Sequence, residues 1–486
     1  MRFSMLSDSR SAFAPDAPCI ADAGTALSNN EFHSRVLAAA GAFASLGIGT
    51  GDVVALMLPN QIEFAVAMFA VWRLGAAMTP INPGLTVKEA SHQIADSRAK
   101  LIVNGSGEPV VADVPTMSVA ALQYGPRYAG TPVDDPAALA LLIYTSGTTG
   151  LPKGVMLDHA NIEAMTDMGR QALRVTTADH CLLVLPLFHV NGIVVSILTP
   201  LASGGRVTIR RRFDIETFFG DVEQLRPTYF SAVPTIYAIL NALPTTVRPD
   251  TSSLRFGVCG AAPASADLLK NFEARYGFPL VEGYGLSEGT CASTLNPIDG
   301  LRKPGSVGLP FPGQRIAIAD SYGRHMPPGA TGEVLVQGPN VMRGYLGKPE
   351  ETAKTVIDGW LHTGDIGRID ADGYLSIVGR LKEMIIRGGE NIYPKEIEDV
   401  LHDFPGVLEA AVIGAPHETL GEIVVAYIAF RPNAKGSSDA LNEHCADRLT
   451  RVKRPATILV ADSLPKNAMG KIDKPKLRQL AKELVG

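Results

Sequence analysis

The stretch Tyr144-Thr-Ser-Gly-Thr-Thr-Gly-Leu-Pro-Lys-Gly154 decides how the rest of this chain is read. Four small hydroxylated residues (Thr145, Ser146, Thr148 and Thr149) are interleaved with glycines such as Gly147, and Lys153 follows. Glycine turns without a Cβ clash, so several backbone N–H groups can face one anion. The hydroxyls add donors and the lysine adds positive charge. Residues 137–144, just upstream, are apolar and read as a buried strand feeding the loop. The whole is a phosphate cradle of a kind other than Walker A. The pattern G-x-x-x-x-G-K-[ST] fails because Pro152 precedes the lysine and Gly154 follows it.

At 486 residues the chain exceeds what one hydrophobic core supports, so two or more domains are expected. Hydrophobic residues make up 46% and charged residues 19%, the balance of an ordinary soluble globular protein. A formal net charge of −5 gives no electrostatic reason for a nucleic-acid partner. The cluster Arg210-Arg211-Arg212 is short and reads as a solvated turn. Five cysteines without C-x-x-C spacing argue against a disulfide framework or a structural zinc site, and for a reducing compartment. The first residues lack the apolar core of a signal peptide. The most apolar windows, residues 64–72 and 193–201, are too short to span a bilayer. A cytoplasmic protein with no membrane span is expected.

Helix-like and strand-like segments alternate on both sides of the loop. The spacing predicts a helix over 30–46 closed by Gly47, a strand over 52–57, a helix over 61–74 and a strand over 100–103. Strands follow over 181–185, 206–209, 229–233 and 254–259, separated by helical stretches. Such alternation predicts an α/β architecture with mostly parallel strands. Short strands with Gly/Pro turns are expected over 332–336 and 373–378. After Arg380 the texture changes. A charged, Gly-rich segment over 381–390 leads to a helix over 394–401, strands over 409–413 and 424–430, and a last helix beginning near Asp439. A tail of roughly a hundred residues suits a small α+β domain. The expected division is 1–380 and 381–486.

Further blocks lie along the chain in order. They are Glu282-Gly-Tyr-Gly-Leu-Ser-Glu288, Trp360-Leu-His-Thr-Gly-Asp365, Gly379-Arg-Leu-Lys-Glu383, Arg387-Gly-Gly-Glu-Asn-Ile-Tyr-Pro394 and Pro465-Lys-Asn-Ala-Met-Gly-Lys471. With the opening loop, they resemble the ordered motifs of the adenylate-forming (AMP-binding) superfamily: acyl-CoA synthetases, stand-alone adenylation domains and beetle-type luciferases. The resemblance covers nearly the whole chain. It implies a large multi-subdomain N-terminal domain with mixed α/β sheets and a small mobile α+β C-terminal domain. It also implies the acid–CoA ligase activity, with ATP, Mg²⁺ and CoA as cofactors and a small carboxylic acid as substrate. An alternative keeps the adenylation and delivers the acyl group to a carrier-protein phosphopantetheine or another nucleophile. A homodimer is a further expectation, resting on no particular residue.

A carboxylate is a poor electrophile, being anionic with oxide as its leaving group. Attack on the α-phosphorus of ATP converts that oxygen into a good leaving group, giving an acyl-adenylate and pyrophosphate. Two anions must meet, so the site needs positive potential, oriented donors and a divalent cation. The resemblance implies that Thr145, Ser146, Gly147, Thr148, Thr149 and Lys153 hold the β- and γ-phosphates. It makes Glu288 the Mg²⁺ ligand and Ser287, where many members carry Thr, a donor to the α-phosphate. Tyr284 offers a flat face to adenine. Gly260, Ala261 and Ala262 form the opposite wall, with Glu282, Gly283 and Gly285 in the same nucleotide site. Asp365 would accept from the ribose hydroxyls, and Arg380 would contact ribose or phosphate. Lys471, in a pattern similar to P-x-x-x-x-G-K, would bridge the incoming carboxylate and the α-phosphate. Lys382 is the implied hinge. Rotation about it would present Arg387, Gly388, Gly389 and Glu390 to the thiol of CoA.

The acyl pocket implied by the same pattern comprises His189, Val190, Asn191, Gly192, residues 229–233 including Val233, Gly260, Gly283 and Cys291. His189 would wall the pocket near the carboxylate. Amino-acid-activating relatives usually carry an Asp at its position to pair with an α-ammonium, so its absence argues against an α-amino acid. Gly283 leaves room for a longer aliphatic or an aromatic acid. Arg302-Lys303 could greet the far end of a dicarboxylate but reads better as a surface turn before Pro304. One rival motif is present: Gly285-Leu-Ser-Glu-Gly289 matches G-x-S-x-G, the nucleophile elbow of α/β-hydrolases. An elbow needs a helix directly after the serine, and Thr290-Cys-Ala-Ser-Thr-Leu-Asn-Pro297 is a weak helix start that soon meets a proline.

Overall fold

The hydroxyl- and glycine-rich stretch joins the two arms of a β-hairpin. Leu139–Thr145 runs antiparallel to Lys153–Asp158, with Tyr144 opposite Gly154 and Thr145 opposite Lys153. The computed structural model describes residues 2–111, 113–145, 152–431, 434, 436–466 and 472–485. Ser146, Gly147, Thr148, Thr149 and Lys471 therefore lie outside the described residues. The feeding strand is fixed from both sides. The indole of fully buried Trp72 donates to the Ala140 carbonyl at 2.8 Å and packs on Phe3, Phe69 and His159. Further along, Tyr144 Oη donates to Asp96 at 2.7 Å. Burying an aromatic of this size stabilises by on the order of 3 kcal/mol.

The described residues fall into two compact units, Met1–Ile316 with Leu335–His362, and Ala317–Val334 with Thr363–Gly486. The expected boundary at 380/381 lies inside the second unit, where the strand Leu375–Arg380 meets the turn Leu381–Glu383.

Among the described residues two sheets lie wholly within the first unit. One contains the hairpin and orders its strands Gly344–Tyr345, Lys153–Asp158, Leu139–Thr145, Ala77–Pro80, Val53–Met57, Leu101–Asn104 and Thr116–Ser118. The other has a parallel centre made of Pro18–Ala21, Arg206–Ile209, His180–Leu183, Tyr229–Ala232, Phe256–Cys259 and Leu280–Tyr284, in that spatial order. Parallel strands covered on both faces read as apolar runs, which is how the expected strands were legible. The helix expected over 30–46 is Asn29–Ser45, opened by a capping box between Ser28 and Glu31. Among the helices that no expected span covers are Leu6–Phe13, His159–Ala172, Ala266–Tyr276, and Val87–Asp96 with its own capping box from Thr86 and Glu89.

The second unit carries a sheet of Glu390–Ile392, Ile385–Arg387, Gly421–Phe430 and Val407–His417, with Thr457–Ala461 added beside Gly421–Phe430. Residues 381–390, expected as a charged segment, contain a short turn and a β-hairpin. Arg387 pairs with Glu390 across Gly388 and Gly389, whose φ values are +60° and +86°. A two-residue hairpin turn of the type I′ kind requires positive φ at both positions, and glycine supplies it without strain. The helix expected over 394–401 is Pro394–His402, and that expected near Asp439 is Ser438–Arg448. The latter is not the last: Lys474–Val485 follows. Pro475 obscured it, although proline at the first turn of a helix is favourable.

All five cysteines are buried thiols. Burial pushes Cys181 and Cys291 up to about 12 and Cys19 to about 11. Among the described residues no helix is long and apolar enough to cross a membrane.

Candidate active site

Lys153 stands at the mouth of the hairpin. Its ammonium pairs with Glu351 and sits 5.2 Å from the centre of the Tyr345 ring. That pairing, first through the hydrogen bond, holds the Glu351 carboxyl below its ordinary range. Tyr345 is aligned by pairing with Val155, two residues on from Lys153. Its hydroxyl donates to Glu288 Oε1 at 2.9 Å. Burial, then the Glu288 charge, raises the phenol well above its usual pKa, so it stays a donor. Lys153, Tyr345 and Glu288 thus stand in a row, although 135 positions of sequence separate Lys153 from Glu288 (288 minus 153). Tyr345 and Glu351 were invisible to sequence reasoning. The strand bearing Tyr345 has two residues, too short for any periodic signal.

Glu288 lies in the short turn Ser287–Gly289, whose backbone is held where Met342 N donates to the Glu288 carbonyl at 2.8 Å. No helix follows the serine. Thr290 is left-handed at φ +51° and the chain enters the strand Thr294–Leu295. That geometry removes the nucleophile-elbow reading, since an elbow runs directly into a helix.

The carboxyl ends of three neighbouring parallel strands supply a second wall. Ala232, Cys259 and Glu282 are in register, so Val233, Gly260, Gly283 and Tyr284 gather along one sheet edge. Ligands of open α/β sheets bind outside this edge. Glu282 is buried and accepts from Ala264 N at 3.2 Å, fixing the loop through Ala261 and Ala262, both exposed. Gly285 is required by close approach, because a Cβ there would lie 2.1 Å from the Cys291 carbonyl oxygen. Backbone cannot swing aside as a side chain can. Gly285→Ala is therefore expected to destabilise by about 1–3 kcal/mol, read as a lower melting temperature; an unchanged melt would refute the packing argument.

Asn191 accepts from Ser231 Oγ at 2.9 Å, which ties the acyl-pocket segment to the strand that ends beside Val233. His189 precedes the short helix Val190–Ile193 in extended conformation, its ring 4.6 Å from that of Phe188. The helix continues through a π-helical segment, Val194–Leu198, a distortion that recurs at functional sites. Cys291 is buried with φ +100°. Arg302 donates to Glu273 at 3.2 Å and to the Ile298 carbonyl at 3.2 Å, in keeping with a turn residue.

In the second unit Asp365 and Arg380 are cross-strand partners, with Arg380 Nε 2.9 Å from Asp365 Oδ1. Lys382 follows in the turn Leu381–Glu383; burial, then the charge of Arg380, lowers its pKa. Arg387 donates to the carbonyls of Val452 at 2.6 Å and Arg454 at 3.3 Å, holding the Gly388-Gly389 hairpin in place.

Comparison with known proteins agrees with this layout. The family described as AMP-binding enzyme matches residues 8–346, and the AMP-binding enzyme C-terminal domain matches 396–471. A feruloyl-CoA synthase of Amycolatopsis is 37% identical, covering 97% of each chain. A sulfoacetate–CoA ligase of Cupriavidus necator is 36% identical, covering 96% of each. The ATP-bound structure of MatB from Rhodopseudomonas palustris superposes with a TM-score of 0.94 at 32% identity, covering 100% of each chain.

Proposed function

The chain belongs to the family of AMP-binding enzymes, and from that premise we infer how its residues share one reaction between two steps. It is an AMP-forming acid–CoA ligase: a carboxylate oxygen attacks the α-phosphorus of ATP and takes the adenylyl group as pyrophosphate leaves, and the thiol of CoA then attacks the acyl carbon of the acyl-adenylate, releasing AMP and a proton. The observation that carries the assignment of roles is the row of Lys153, Tyr345 and Glu288 at the mouth of the glycine-rich hairpin.

The hairpin connection with Lys153 holds the β- and γ-phosphates. Lys153 rests on Glu351 and the Tyr345 ring, which places its charge at the mouth. Glu288 holds Mg²⁺. A partly exposed carboxylate oriented by a phenol is the hard oxygen ligand that ion takes, and the ion supplies neutralisation of phosphate charge. Ser287 donates to the α-phosphate. Tyr284 and the Gly260-Ala261-Ala262 segment flank adenine, while Asp365 and Arg380 serve ribose. Lys471 completes the adenylation site by drawing together two anions. The hinge of the reaction cycle falls at 380/381, within the second compact unit, with Lys382 as pivot, and the hairpin Arg387–Glu390 faces the thiol in the second step. Proline fixes φ near −65°, so Lys382→Pro is expected to spare adenylation and slow thioester formation about tenfold or more. An unaltered second step would overturn the pivot.

The acid is an aromatic or longer aliphatic monocarboxylate, with ferulate the first to try. The Asn191–Ser231 pair in the pocket segment is neutral, whereas a Cβ at Gly283 would meet the Thr294 carbonyl oxygen at 2.9 Å, so that glycine answers to backbone packing and does not open the room expected of it. Arg302, weighed above as a partner for a second carboxylate, is engaged with Glu273, which disfavours a dicarboxylate. The protein works in the cytoplasm, where its thiols stay reduced, and forms a homodimer, testable by light scattering. The deciding experiment is pyrophosphate release over a panel of ferulate, palmitate, oxalate and phenylalanine, with and without CoA. Release with ferulate or palmitate, and thioester only when CoA is present, is the expected result. Release with no acid, or thioester only on a pantetheinylated carrier protein, overturns the reading.

A further inference from the structure

Lys474 begins the last helix and is largely buried, its side chain 16% exposed. Its ammonium lies 2.7 Å from Glu383 and 2.7 Å from Glu398, on two other elements. Glu383 is the residue after Lys382. Glu398 belongs to the helix Pro394–His402 and also accepts from Val412 N at 2.8 Å, so it is fixed to the sheet. Burial alone would pull the lysine down, but the two carboxylates outweigh it and its pKa sits above the ordinary value. Buried charges of this kind persist only when paired.

The elements on either side of this triad are anchored. Upstream, Arg380 is held by Asp365 at 2.9 Å. Between the anchors Arg380 and Glu383 lie Leu381, half exposed, and Lys382. A change of backbone angles has nowhere else to fall. Downstream, the stems flanking residues 467–471 pair with each other: Lys466 bridges Ile472, and Asp473 N donates to the Pro465 carbonyl at 2.8 Å. Asp473 then caps the helix by accepting from Lys476 N at 3.1 Å. Leu477 and Ala481 bury the helix against the sheet.

We propose that Lys474 is a positioning residue for adenylation, clamping the first residue beyond the pivot to the helix that directly follows the segment bearing Lys471. The inference rests on the pivot and Lys471 roles given above. A turn at Lys382 then carries the stem at Ile472 and Asp473 along with Glu383, because the Lys474 pairs join them. The thiol-facing hairpin is held separately, by Arg387 on the Val452 and Arg454 carbonyls and by Ile386 N on Glu422 at 2.8 Å. Loss of the clamp should therefore fall on the first half-reaction.

The test compares Glu383→Ala, Lys474→Met and Lys474→Arg in the full chain, with ferulate or the best panel acid. Pyrophosphate release reads the first step, and conversion of preformed acyl-adenylate to thioester reads the second. Glu383→Ala keeps the Lys474–Glu398 pair and so keeps the fold, even if Lys474→Met, which leaves two facing carboxylates, does not. Expected are a fall of about tenfold in adenylation kcat for Glu383→Ala with thioester formation within about twofold, and near-parental rates for Lys474→Arg. Equal loss in both steps, or no loss for Glu383→Ala, overturns the clamp. Lys471→Ala is run alongside. If that variant keeps adenylation, the underlying two-step reading falls too, whereas selective loss there with an unaffected Glu383→Ala sinks only the clamp.

Discussion

Lys471→Ala is expected to lower pyrophosphate release by about a thousandfold while still converting preformed acyl-adenylate to thioester. The first step drives an anionic carboxylate onto an anionic phosphate. A cation that bridges them acts most strongly as charge shifts onto the departing pyrophosphate, so its removal raises the barrier of that step alone. The second step starts from a neutral acyl carbon in a mixed anhydride and needs the thiol face instead. Measuring both half-reactions on one variant separates the two demands. Equal loss in both would mean that Lys471 serves folding or nucleotide binding in general.

Glu288→Gln is expected to cut the overall rate by about a hundredfold and to raise the Mg²⁺ concentration needed for half-maximal activity. The amide oxygen can still accept the Tyr345 hydrogen bond, which is 2.9 Å long in the parent. The turn Ser287–Gly289 also keeps its backbone bond from Met342. The fold should therefore survive, and the melting temperature should move little. What disappears is the negative charge, the property a hard divalent ion selects. A parental Mg²⁺ dependence in this variant would remove Glu288 from the metal site.

Much of this architecture was legible in the chain, for identifiable reasons. The strand Arg206–Ile209 was bounded correctly because apolar residues between turn signals leave little ambiguity. The helix Asn29–Ser45 was readable from its alanine-rich helical spacing closed by Gly47, while its capping box from Ser28 and Glu31 went unread. The hairpin arm Leu139–Thr145 was readable from its apolar run. The helix Val87–Asp96 carried the same capping signature in Thr86 and Glu89 and could have been found by it. The partners of the site residues were not readable. Tyr345 reaches Lys153 and Glu288 only because a two-residue strand docks on Lys153–Asp158. Lys474 meets Glu383 and Glu398 across 91 and 76 positions, the second from 474 minus 398. Local periodicity carries no record of such meetings; they exist only once the sheets are assembled.

An enzyme that handles a free thiol runs the hazard of coupling to it, because oxidised CoA exchanges with any accessible protein thiolate. Here every cysteine is shut inside, and burial pushes thiols such as Cys181 and Cys291 up to about 12, which keeps them protonated at neutral pH. Attack on a disulfide needs the ionised form and a path to it. Incubation with CoA disulfide is thus expected to leave the intact mass of the native protein unchanged, and an adduct on any of the five would contradict it. By keeping its own sulfur out of reach, the protein can meet its co-substrate in mildly oxidising surroundings without becoming a mixed disulfide of it.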